Sequence, residues 1–380
     1  MRPVPAKPRL VKIIKAITIA AALTIPLLAN AQKNPFAGLE NLFTVPESYV
    51  AKFAVKPPVI DGDVNDESWQ KVKWSKDFGD IEGDQKPKPP YKTSMKMLWD
   101  DSCLYIAAQL KEPHVWANFT HHDDVVYHEN DFELFIDPNG TTHSYYEIEV
   151  NALNTIFDLF LNKPYRDRGR GLTGWEAIGL RSAVKVQGTL NNPDDTDEGW
   201  TVELAIPFKA LTGGFNPKKP GDGSIYRINF SRVEYDMKID NGRYVKLKDS
   251  SGRNLPEHNW SWSPQGEIAM HTPEHWGYLL FSKSEDDVKF TMPYGEEQKR
   301  YLWLVYYRQK LWYSQHHEYT ASLKKLGIKK RYEIMGSSNT IKLAATETQF
   351  AAFITDNKTN ITYTINHEGF IEQLNPDRNE

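Results

Sequence analysis

The ionisable side chains with the clearest spacing lie between Asn130 and Leu161. Asp131, Glu133 and Asp137 alternate with Phe132, Leu134 and Ile136, and Glu147 and Glu149 alternate with Tyr146, Ile148 and Val150. Period-two alternation puts each set on one face of a strand. Pro138-Asn139-Gly140 between the runs is turn chemistry, because Pro presets φ and Asn and Gly tolerate positive φ. Pairing of the two strands therefore gathers Glu133, Glu147 and Glu149 on one face. Carboxylates crowded in this way repel unless a cation, an arginine or a hydroxyl-rich ligand meets them. Two chemistries follow. The face could grip saccharide hydroxyls, or a pair such as Asp131/Glu133 or Glu147/Glu149 could hydrolyse a glycosidic bond. Residues two apart on a strand stand about 6–7 Å apart, which permits either. Acids on an open sheet face lack the burial that raises one pKa, and this favours binding over turnover.

Other segments carry chemistry as well. The loop from His114 to Asn130 holds His121, His122, Asp123, Asp124, Tyr127 and His128. Consecutive residues of an extended chain point in opposite directions, so adjacent histidines rarely share an ion, and the loop reads as solvated. The stretch NKPYRDRGRGLTGW supplies Tyr165, Arg166 and Trp175. Guanidinium gives planar paired hydrogen bonds and indole gives a stacking face, which suits a hydroxyl-rich or anionic ligand. Asn191–Glu198 has enough oxygens for a calcium site, although no ligand set can be assigned. Arg227 and Arg232 are expected to pair with Glu203 or Glu149. Cys103 stands in an apolar run and, as the one cysteine, forms no internal disulfide; it reads as a small core residue.

The elements that position these residues are mostly short strands. The 380 residues are 40% hydrophobic and 12% aromatic, ample for a core and too aromatic for disorder. The formal charge of −4 lacks the basic stripe that nucleic-acid binding needs. Residues 1–31 read as a cleaved secretory signal: a basic start, an apolar run from Ile13 to Leu28, and Ala29-Asn30-Ala31 as the cleavage site. The mature chain is expected in a periplasm or outside the cell, with no membrane span. Residues 32–46 read as a linker, 47–283 as a β domain, and 284–380 as an α+β extension available to a protein partner. Thr93–Trp99 and Leu104–Lys111 form a hairpin, and Trp69 tucks under the sheet. Trp200–Phe208 points Val202, Leu204 and Ile206 inward and Thr201, Glu203 and Ala205 outward. Glu296–Leu326 lacks Pro and Gly and reads as an amphipathic helix ending near Gly327. Alternating segments at Tyr332–Met335, Thr340–Ala345, Phe350–Thr355 and Ile361–Asn366 follow it.

The segments IDGDVNDESW, LWDDSCLYIAAQL, NDFELFIDPNG, YYEIEVN, GWTVELAIPF, YRINFSRVE, WSWSPQG and HTPEHWGYLLF occur in that order. The series resembles the family 9 carbohydrate-binding modules, in particular a secreted family 9-like branch with a DOMON-like β-sandwich, from about Tyr49 to Phe281. The resemblance implies two packed antiparallel sheets and a sugar ligand held by loops and one sheet face. It implies one aromatic wall at Tyr127, a buried glutamate contact at Glu133, and a second wall at Met270 beside His271. The family's arginine position falls on Glu149, and its asparagine on Asn151. It also implies structural calcium and binding without turnover, hydrolysis being the work of attached catalytic domains. DOMON-like folds can carry haem between Met and His ligands, for which Met97, Met270 and His271 are the available residues. A haem-binding electron carrier is thus a further alternative to the sugar binder and the hydrolase.

Overall fold

Alternation of the kind seen at Asp131–Asp137 recurs along the chain and builds a thirteen-stranded sheet in the computed structural model, which describes residues 34–212 and 219–374. The signal segment expected over residues 1–31 lies outside the described residues. On one half of the sheet run Ile156–Leu161, Tyr145–Asn151, Asp131–Asp137, Ile225–Glu234 and Gly277–Ser282. On the other run Thr93–Trp99, Cys103–Leu110, Gly199–Pro207 and Arg181–Gln187. The halves face each other, since Phe132, Leu134 and Ile148 share one buried core with Leu104, Ile106, Val202 and Leu204. The molecule is therefore the mainly β sandwich expected, with one refinement. The entering strand Ser48–Phe53 pairs in parallel with both Gly277–Ser282 and Thr93–Trp99, so the two layers are one continuous curled sheet.

Burial differs from the simple in/out reading. Thr201, Glu203 and Ala205 were expected outside, yet the whole Gly199–Pro207 strand is buried. The cause is a second covering layer. A short helix, Glu67–Gln70, places Trp69 under the sheet as anticipated, with its indole N–H donating to Glu203 Oε1 at 2.6 Å. The backbone N–H groups of Asp61 and Gly62 donate to Glu203 Oε2 at 3.1 and 2.7 Å. Glu203 is thus fully bonded without an arginine. Cys103, 8% exposed, packs in this same layer with Trp69, Leu98 and Tyr105.

The extension folds as a helix on a small antiparallel sheet. The helix, Tyr294–His316, stops eleven residues short of the expected Gly327, because His317 takes the left-handed conformation and the chain reverses. Gln309 secures the reversal: its side-chain amide donates to Thr320 O at 2.7 Å and accepts from Thr320 N at 3.2 Å. Five strands follow, including Ile371–Leu374, which the alternation did not reveal. Residues 34–46 are not a free linker. Leu39 is buried in the extension's core, and Phe36 stacks on Phe43 and tilts against Tyr301.

The extension also grips the sandwich. Glu296 accepts from Tyr278 Oη at 3.1 Å and pairs with Arg227 at 3.4 Å. Tyr306 Oη and Lys310 Nζ both reach Asp167, at 2.8 and 2.7 Å. Lys163 pairs with Glu368 at 2.6 Å.

Candidate functional site

The alternation in Asp131–Asp137 and Tyr145–Asn151 produces the register Asp131↔Asn151, Glu133↔Glu149 and Phe135↔Glu147. Glu133, Glu147 and Glu149 accordingly share a face, and Asp131 adjoins them. That face is not open. Asp131, Glu133, Glu147 and Glu149 are all at most 5% exposed, and the three glutamates line a cavity of about 460 Å³. Loops carrying Tyr127, Tyr165, Glu257, Met270 and His271 rise around it. The absence of burial argued from sequence is therefore corrected, because loops remote in sequence close over the strands.

Burial without a counter-cation has an electrostatic consequence. Desolvation raises Glu133 to about 7 and holds Asp131, Glu147 and Glu149 well above the usual carboxylate range, with their mutual repulsion adding to it. Among the described residues neither Arg nor Lys forms an ion pair with any of the four, and His271 Nε2 lies 3.9 Å from Glu147. Both oxygens of Asp131 and Oε2 of Glu133 have no hydrogen-bond partner. Glu149 Oε2 accepts from the Tyr127 backbone N–H at 2.9 Å, which ties Tyr127 to the acid cluster. Three of the acids, Asp131, Glu133 and Glu149, stand close enough to share a cation.

The expected site residues separate into two groups. Tyr127, Glu133, Glu149, Tyr165, Met270 and His271 line the cavity. Tyr127 and Tyr165 are its exposed aromatics, 41% and 47% accessible, whereas Met270 is buried. His271 is clasped between Tyr145 Oη, 3.1 Å from Nδ1, and the Tyr165 ring, 4.5 Å between centroids. Burial lowers its pKa to about 4, so the ring is neutral. The remaining residues, fully buried Asp131 among them, do not line the cavity. Asn151 is fully buried, donating to Phe119 O and Glu129 Oε1 at 2.9 and 2.7 Å. Trp175 packs against Tyr146 with the rings tilted, centroids 4.8 Å apart, beside the main core. Arg166 faces the extension, paired with Glu274 and Asp167. The arginines expected at Glu203 or Glu149 go elsewhere: Arg227 to Glu296, and Arg232 to Glu112 and Glu234 at 2.6 and 2.7 Å.

A second cavity of about 640 Å³ adjoins the first and shares Ile81, Glu257, Asn259 and Ile268 with it. Glu112 and Glu234, the partners of Arg232, line it together with Tyr91, Trp116 and Trp260. Burial and the neighbouring Glu234 raise Glu112 to about 9 despite Arg232. Sequence reasoning missed Glu257, Asn259 and Glu112, which lie in loops or at a strand end and carry no periodic signal.

The loop Asn191–Glu198 directs its oxygens to backbone. Asp197 accepts from the N–H groups of Val115 and Thr189, and Asn191 Oδ1 from that of Ala117. Met97 is fully buried in the sandwich core, apart from the cluster that contains Met270, so the structure does not assemble the suggested haem ligands.

Endo-1,4-beta-xylanase A of Thermoanaerobacterium saccharolyticum is 23% identical over 260 residues, covering 68% of this chain. Exoglucanase XynX of Acetivibrio thermocellus is 22% identical over 239 residues, covering 63%. The chain spans 18% of the length of each of these relatives. A family 9 module from Caldicellulosiruptor kristjanssonii in complex with cellotriose matches 65% of this chain and all of its own at 19% identity, with a TM-score of 0.41. A putative carbohydrate-binding protein from Bacteroides uniformis covers 62% of this chain and all of its own at 17% identity, with a TM-score of 0.46. Residues 60–280 match the family model described as carbohydrate family 9 binding domain-like, and the chain belongs to that family.

Proposed function

We propose that this chain is a non-catalytic binder of saccharides, acting outside the cytoplasm in polysaccharide or oligosaccharide use. The observation that carries this reading is the cavity in which two exposed tyrosines, Tyr127 and Tyr165, stand over buried carboxyl groups. A pyranose ring offers a patch of C–H groups to an aromatic face, and its hydroxyls both donate and accept. A neutral carboxyl group also donates and accepts, so acids raised by burial suit hydroxyls better than carboxylates would. Tyr165 then takes the second wall that the register assigned to Met270. The adjoining cavity lengthens the site, which favours an oligosaccharide over a single ring. The relatives are named for xylan and glucan, so β-1,4-linked oligosaccharides of xylose and glucose are the ligands to test first.

The buried acids also bear on the hydrolase alternative. Glycoside hydrolysis needs one carboxyl protonated and another ionised, their pKa values pushed apart. Here burial pushes all four in the same direction, and among the described residues no Arg or Lys pairs with any of them. Calorimetry with xylo- and cello-oligosaccharides, paired with a reducing-sugar assay, tests both readings. Binding without sugar release supports ours. Release that disappears in Glu133→Gln would replace it with the hydrolase.

A further inference from the structure

The geometry points to a divalent metal site, built from His122, Asp123, Asp158 and Glu176, on the outer side of the loop that carries Tyr127. Sequence spacing suggested His121-His122 with Asp123-Asp124, but the two histidines, at the start of a turn, go to different partners. His121 is 87% exposed at its side chain and lies 3.5 Å from Asp124. His122 turns the other way, and its Nε2 lies 2.9 Å from Glu176 Oε2, 3.6 Å from Asp123 Oδ1 and 3.9 Å from Asp158 Oδ1. One ligand atom from each of the four residues lies within 4.8 Å of all the others. With metal–ligand bonds of about 2.1 Å, the edge of a tetrahedron is about 3.4 Å, and the three separations from Nε2 straddle that length.

The second observation is buried and independent of the spacing. Asp158 is 1% exposed, and its Oδ1 accepts no hydrogen bond. Asp123 Oδ1 is likewise buried without a partner. The other oxygen of Asp158 accepts from the Ala177 N–H at 2.7 Å, which fixes the carboxylate with its free oxygen toward His122. Among the described residues no Lys or Arg pairs with these three acids, so one imidazole faces three carboxylates. A cation coordinated by all four would satisfy the orphaned oxygens and the charge together. One nitrogen and three oxygens suit a first-row ion of the zinc or manganese kind better than calcium, which takes six to eight oxygens. The ion would tie the loop carrying Tyr127 to the Ile156–Leu161 strand and to the loop after Gly171.

Equilibrium dialysis of the chelator-treated mature chain against zinc, manganese and calcium chloride tests the site without any sugar. One equivalent of zinc or manganese is expected, bound at least tenfold more tightly than calcium, with a rise of several degrees in Tm. Cobalt in the same site should show the visible bands of a tetrahedral ion. His122→Ala and Glu176→Gln alter half-exposed side chains. They should weaken metal binding at least tenfold while leaving the metal-free Tm unchanged. Zinc binding that survives both variants, calcium bound as tightly as zinc, or no binding at all would overturn the assignment.

Discussion

Tyr127 and Glu133 are linked through Glu149, whose carboxyl oxygen holds the Tyr127 backbone N–H. Tyr127→Ala or Tyr165→Ala is expected to weaken oligosaccharide binding by about tenfold each, roughly 1.4 kcal/mol, as read by calorimetry. Trp175→Ala should leave that affinity unchanged and lower Tm, because Trp175 packs on Tyr146 away from the cavity. Glu133 gives the site a pH dependence. Its carboxyl is raised by burial to about 7, so it is protonated below neutrality and ionised above. Sugar affinity should fall several-fold between pH 6 and pH 8.5, limits that bracket this value. Glu133→Gln keeps a neutral group that donates and accepts, and should bind with a flat pH profile. A variant that retains the wild-type slope would remove Glu133 from this role.

At the scale of elements, the cavity wall is held from behind by the extension. Arg166 follows Tyr165 directly and pairs with Glu274, which also accepts from Tyr307 Oη. Burial alone would raise Glu274, but Arg166 overrides it, with help from His275 and Tyr307, and holds the carboxyl at about 2. Arg166→Met leaves Glu274 buried without its cation and should destabilise the fold by about 3–5 kcal/mol in denaturant titration. It should also weaken sugar binding through Tyr165. The alternation made the Asp131–Asp137 and Tyr145–Asn151 hairpin and its Glu133↔Glu149 register legible, because a strand's side-chain period is a local property. Arg166 and Glu274 stand 108 residues apart, and no local pattern joins them. The end of the helix at His316 was hidden for the same reason, since Gln309 is satisfied by a turn that exists only once the chain has reversed.

For the whole molecule, stability should peak in mildly acidic solution. Buried His143 and His271 have pKa values lowered by desolvation to about 4. Their neutral forms favour the fold fully above about 6.5, the unfolded value, and this contribution is lost as pH falls toward 4. Glu274, lowered to about 2, adds a loss that begins below about 4.5. The raised acids act in the opposite sense. Glu133 favours the fold at low pH, and its contribution declines as pH rises from about 4.5 through about 7. Melting temperatures across pH 4–9 should therefore trace a maximum, and Glu133→Gln should shallow its alkaline side. Deleting residues 284–380 should lower Tm sharply and impair binding, because Asp167, Glu274 and Arg227 would lose their partners. A truncated sandwich that melts and binds like the full chain would show the extension to be a separate module.

The sequence by itself determined many of the strands, the hairpin that gathers the acids, the order of segments that marks the family, and the existence of a helix followed by a small sheet. Each of these is written in local periodicity and turn chemistry. Only the tertiary structure decided that the acids are buried and their pKa values raised, that Tyr165 stands at the cavity while Trp175 and Arg166 turn away, and that His122 meets Asp158 and Glu176. Burial and charge pairing depend on which distant segment covers a face, and two residues come to share a dielectric only after the sheet has curled.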